Sequence, residues 1–250
     1  MSACELTLFL KKLYDYEPGI YQQIYKMSIY IFTTKRELQD AIFEPWNHCA
    51  DNKHKYSHIS LWDTSQLTDM SYLFSFKECI QELFTDDPYS FGGGENEPNK
   101  YYLCAKDFNE NINTWDVSNV KTMEGMFDGC ENFNQPLNSW DVGKCENMKD
   151  MFDGCKNFNQ PLEKWDVGKC ENMEDMFNCC ENFNQPLNSW DVSNVENMDW
   201  MFWNCIQFNQ PLNTWNVSNV KEMEHMFNDK ETFIKLLNMG YGLWIYHDYT

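Results

Sequence analysis

Five tryptophans, Trp115, Trp140, Trp165, Trp190 and Trp215, stand 25 residues apart, and that register constrains the chain more than any other feature. Other columns keep the same period. Phe108, Phe133, Phe158, Phe183, Phe208 and Phe233 form one, and Met123, Met148, Met173, Met198 and Met223 another. Phe127, Phe152, Phe177, Phe202 and Phe227 form a third. A fixed period of this length marks a repeat architecture, in which no unit buries its apolar face alone and each covers the next.

Each unit reads close to FNQPLNSWDVSNVENMxxMFxxC. Trp140 and Val142 alternate with Asp141, and this period of two predicts a short strand over residues 137–142. Met148, Met151, Phe152 and Cys155 follow at i, i+3, i+4 and i+7, which predicts about two turns of helix. Gly143, or Ser118 in its place, opens a turn between them, and Pro136, Pro161, Pro186 and Pro211 punctuate the entry. The expected fold class is therefore an α/β solenoid, a leucine-rich-repeat-like stack of strand–turn–short-helix units. A parallel sheet would form one face, with a helical N-terminal cap and an irregular C-terminal cap.

These residues carry a resemblance. FNQPLNSWDVSNVENM followed by MFxxC over residues 108–232 resembles the 25-residue repeat of BspA-like leucine-rich-repeat proteins, also called the Mycoplasma lipoprotein repeat. The resemblance implies a solenoid and a binding or adhesion role, and it implies no catalytic residues. Members occur on bacterial surfaces, in protists and in large DNA viruses. No signal or lipid-anchor cysteine motif is visible at this N-terminus, so an intracellular or viral setting, host cytoplasm or virion, is the expectation.

The organisation follows from the repeats. Residues 1–59 read as an N-terminal helical and capping region, with a helix at 34–43 opened by a Thr34/Glu37 capping box. Residues 60–107 read as a degenerate first repeat, in which Trp62, Met70 and Phe74 each precede their counterparts by 53 residues, so 28 are inserted beyond one period. That insert contains FGGGENEP. Residues 108–232 hold five repeats, and residues 233–250 form the C-terminal cap.

Thirty-nine acidic residues against 19 basic give a formal charge of −20, which disfavours nucleic acid and anionic membrane as partners. No run of apolar residues is long enough for a membrane span. The 11 cysteines, without a signal peptide, point to free thiols in a reducing compartment. Cys145 and Cys170 share a column with Val120, Val195 and Val220, so they fill space. His48, Cys49, His54 and His58 read more readily as a surface loop than as metal ligands, and no metal or other cofactor is expected. The loop Gly92, Gly93 and Gly94 lacks the Lys and Ser/Thr of a phosphate-binding loop. No nucleophile–base arrangement stands out, so the chain does not read as an enzyme.

Two binding features remain. Asp116, Asp141, Asp166 and Asp191, with Asn216 last, form an acidic column. It is either a strip for cations or a series of Asx turns capping the residues that follow. The Asn109, Asn134, Asn159, Asn184 and Asn209 column suggests a buried amide ladder between loops. The second feature breaks the pattern. Trp200 stands in a column with Gly125, Asp150, Asp175 and His225, and Trp203 in one with Asp128, Asp153, Asn178 and Asn228. Ile206 shares its column with Glu131, Lys156, Glu181 and Glu231. Repeat four thus places Trp200, Trp203 and Ile206, with His225 beyond, on what would be its outer helix face. They form a patch for a protein partner or for self-association, unless a terminal segment covers it.

Overall fold

The amphipathic spacing of Met148, Met151, Phe152 and Cys155 buries all four side chains, yet the backbone that carries them is not a helix. The computed structural model describes residues 30–47, 59–75 and 106–228. Two helical elements lie wholly within them, the α-helix α1, Lys35–Asn47, and a 3-10 turn at Ile59–Leu61. Thr34 Oγ1 accepts the Glu37 amide, as a helix N-cap should. The Glu37 carboxylate reaches one residue further back than a capping box requires, to the amide and hydroxyl of Thr33.

The expected α/β fold is overturned. The described residues contain no strand longer than a single bridge and therefore no parallel sheet. Parallel pairing is limited to isolated bridges, one between Ile31 and Asp63 and one residue per unit in the series Asp69, Thr122, Asn147, Asn172, Asn197 and Glu222. Residues 140–142 alternate in exposure, but 137–145 form two tight turns, closed by Trp140 N–H on the Leu137 carbonyl and by Cys145 N–H on that of Val142.

The reason lies in where the backbone N–H groups go. Met148, Asp150, Phe152 and Gly154 donate to the carbonyls of Asn172, Glu174, Met176 and Asn178 in the next unit, at 2.8–3.0 Å. The intervening amides of Met151, Asp153 and Cys155 close local three-residue turns on Met148, Asp150 and Phe152. A helix would spend all of these donors within one segment. Here alternate donors link the units. This geometry needs left-handed residues at two positions per unit. Gly125, Asp150, Asp175, Trp200 and His225 occupy one, with φ between 51° and 57°. Gly129, Gly154, Cys179 and Asn204 occupy the other, with φ between 56° and 77°. Gly, Asn and Asp are the residues that tolerate this region best, and six of these nine positions carry Gly, Asp or Asn.

Side-chain columns finish the stack. Phe127, Phe152, Phe177, Phe202 and Phe227 lie ring over ring at 5.4–5.6 Å and within 8° of parallel. Trp140, Trp165, Trp190 and Trp215 repeat at 6.4–6.5 Å. Burying rings of this size contributes on the order of 2 kcal/mol each, and each ring pair adds about 1 kcal/mol. The polar tips are satisfied. Trp165 Nε1 donates to the Leu137 carbonyl at 3.0 Å, and Trp115, Trp140, Trp190 and Trp215 make the equivalent bond to the coil before them. The thiols of Cys155, Cys180 and Cys205 donate to the carbonyls of Phe127, Phe152 and Phe177 at 2.8–3.1 Å. Asn134, Asn159, Asn184 and Asn209 each give their amide N–H to the Asn side chain one unit earlier, so the amide ladder is present, although its members are half-buried or exposed.

Candidate functional site

Two polar columns cap local turns. In the first, Asp116, Asp141, Asp166 and Asp191 each accept the amide of the residue two positions on, at 3.0–3.1 Å, and Asn216 does the same for Ser218 at 3.3 Å. All five are exposed, and each side chain caps its own turn. For Asp191, the bonds from Ser193 hold the carboxyl below its usual range. Sequence reading missed the second column. Asn147, Asn172 and Asn197 accept the amides of Lys149, Glu174 and Asp199 in the same way. Their spacing, one residue before Met148, Met173 and Met198, was visible throughout.

The pattern break of repeat four becomes a cluster. With no helix beneath them, Trp200 and Trp203 are carried by the turn ladder. Trp200 takes a left-handed backbone, φ 57°, which swings its ring onto its neighbours. Its centroid lies 4.8 Å from that of Trp203, edge to face, and 4.4 Å from that of His225. Trp203 meets His225 at 5.7 Å and 79°. The three rings are half-buried by this mutual packing, whereas Ile206 beside them is 67% exposed. The expectation that these columns face solvent in the other units also needs correction. Asp128 and Asp150 are buried, and Asp153, Asp175 and Asn178 are half-buried. At the other end of the column, the Tyr72 ring lies where a Cβ on Gly125 would sit, and its hydroxyl bonds Glu124 at 2.9 Å. Burial first, then the bond and charge of Glu124, push that phenol well above its ordinary range.

Carboxylates border the cluster. The Trp200 amide donates to the Glu224 carbonyl at 2.9 Å, and the Glu224 amide donates to Asp199 Oδ1. Asn197 Nδ2 bridges Glu222 at 2.7 Å and Glu174 at 3.4 Å. Asp199 is consequently raised above its usual range. Partial burial is the main cause, opposed by the Glu224 amide and reinforced by the charges of Glu222, Glu224 and Glu174. Of the nearby lysines, Lys149 pairs with Glu174 in this group and Lys221 with Glu196, each at 2.8 Å.

Over residues 23–87, 97–177 and 140–239 the sequence matches the family described as "Mycoplasma protein of unknown function, DUF285". The chain belongs to this family. Three matches to one repeat family, the last two overlapping, agree with the stacked units seen here. No curated protein and no solved structure matches the chain. Among the described residues of this DUF285 member, no group of three or more His, Cys, Asp or Glu is arranged to hold a metal ion. No helix there is long and apolar enough to cross a membrane. His48, Cys49, His54 and His58, the Gly-rich insert and residues 233–250 lie outside the described residues.

Proposed function

We propose that the chain is a non-catalytic interaction module that binds another polypeptide through the cluster of Trp200, Trp203, His225 and Ile206. One observation carries this reading. Five of the repeats are near-copies, and at the columns of Trp200, Trp203 and Ile206 the preceding units hold Gly, Asp, Asn, Glu or Lys. A tryptophan at φ 57° costs about 1 kcal/mol of backbone energy that glycine would avoid. The fold itself does not require it, since Gly125, Asp150 and Asp175 serve the same turn. Tryptophan is also the residue most enriched at binding hot spots. The resemblance of the repeat to BspA-like sequences, whose members bind or adhere, supports the same reading.

The buried thiols of Cys155, Cys180 and Cys205 act as hydrogen-bond donors, a job that requires them reduced. That supports an intracellular setting, a host cytoplasm or the interior of a large DNA virus. The test is affinity capture from the native source with wild type beside a Trp200→Ala/Trp203→Ala double variant. The reading expects a partner retained by wild type and lost by the variant. Equal recovery of every bound protein by both sinks it.

A further inference from the structure

We infer that the segment recognised by the Trp200–Trp203–His225 cluster is cationic and carries arginine. This rests on the interaction reading above and names the chemistry of the partner. The rings supply π faces on a half-buried platform, with centroids 4.4–5.7 Å apart. That spacing is too close to enclose an ammonium group between them, so a ligand approaches from outside. A flat guanidinium stacks on such a platform, whereas a compact, strongly hydrated ammonium gains less there.

Charge points the same way. The Trp200 amide bonds the Glu224 carbonyl and the Glu224 amide bonds the Asp199 carboxylate, with Glu222 joined through Asn197. Asp175 occupies the Trp200 column one unit below, and Glu181 stands in the column of Ile206. The lysines of this face, Lys149 and Lys221, already pair with Glu174 and Glu196. The rim of the cluster is therefore acidic on a chain of formal charge −20. A carboxylate beside an aromatic face suits guanidinium, which can stack and form paired hydrogen bonds at once. Exposed Ile206 then meets an apolar residue flanking the arginine.

A competing view is that the acidic rim only keeps the protein soluble. It predicts that any cation binds weakly and indifferently to every acidic face. The measurement that separates the two is fluorescence anisotropy of a labelled oligo-arginine peptide titrated with the full chain, beside an oligo-lysine peptide of equal length. Wild type is expected to bind oligo-arginine about tenfold more tightly than oligo-lysine. Trp200→Ala/Trp203→Ala should weaken oligo-arginine binding about tenfold. Asp199→Asn/Glu224→Gln should weaken it similarly and flatten its salt dependence. Asp141→Asn/Asp166→Asn, which keeps the Asx acceptors of the other column, should leave it unchanged.

Should the alanine pair unfold, Trp200→Phe/Trp203→Phe keeps π faces and is expected to retain binding within about threefold. The proposal is overturned by equal affinity for the two peptides, by no binding of oligo-arginine, or by equal losses in the Asp141/Asp166 control. If oligo-arginine fails but a native partner is still captured through Trp200, only the cationic chemistry falls. If capture also ignores Trp200, the interaction reading falls with it.

Discussion

Gly129→Ala distinguishes the turn ladder from a helix by the sign of its effect. Gly129 sits at φ 77°, and an added Cβ would meet nothing within 4 Å, so no clash enters the comparison. Were the segment helical, replacing a mid-helix glycine by alanine would stabilise the protein by about 1 kcal/mol. In the turn ladder, alanine must adopt a left-handed conformation that costs about 1–2 kcal/mol. The stiffer unfolded chain returns about 0.4–1 kcal/mol of that. The net expectation is a loss of about 1 kcal/mol, roughly 2 kcal/mol away from the helical expectation. Gly154→Ala repeats the test one unit later, where φ is 71° and the new Cβ would make ordinary contact with Gly129 Cα at 3.6 Å. Gly129→Asn should lose less, because asparagine tolerates this region and Asn204 occupies the same column at φ 56°. Urea unfolding followed by tryptophan fluorescence reads all three. A Gly129→Ala protein as stable as wild type, or more so, would refute the left-handed ladder.

Two further outcomes follow from the burial and charge of single groups. In alkylation followed by mass spectrometry, Cys179 should react before Cys130, Cys155, Cys180 and Cys205. It is half-buried, whereas burial pushes the other four thiols well above their ordinary range. Equal labelling of Cys155 and Cys179 in the folded protein would contradict the packing. Asp199→Asn should stabilise the protein at neutral pH by less than about 1 kcal/mol, since solvent screens this partly exposed group. The folded carboxyl is raised, so its penalty is present once pH exceeds the folded value and absent below the unfolded value of about 3.9. The stabilisation should therefore vanish on acidification, and a gain that persists at pH 3 would point to another cause. The same variant weakens binding if the cationic inference holds, so one substitution should raise stability while lowering affinity.

The period and the buried columns were legible because apolar side chains must recur wherever coils stack. The backbone type was not. Spacing of i, i+3, i+4 and i+7 buries Met148, Met151, Phe152 and Cys155 equally well on a helix or on a chain of turns. The deciding signal lay in the polar columns between them. Gly125, Asp150 and Asp175, and again Gly129, Gly154 and Asn204, are residues that tolerate positive φ, recurring at fixed places. Two such positions four residues apart are hostile to a helix. Period two at Trp140, Asp141 and Val142 reported side-chain alternation correctly but could not say where the amides bond. The Trp200 cluster was visible as a departure from the repeat. Its geometry was not, because the ring contacts with His225 follow from the left-handed turn and not from helical spacing.

The central claim, that repeat four carries the recognition surface, is tested most directly by the indole N–H resonances of isotope-labelled protein with and without its captured partner. Trp140, Trp165, Trp190 and Trp215 are buried with their N–H groups bonded to carbonyls, so they serve as internal controls. The account predicts that the Trp200 and Trp203 signals, assigned by their loss in the single phenylalanine variants, shift on binding while these four stay in place. Unmoved Trp200 and Trp203 signals in a saturated complex would contradict it.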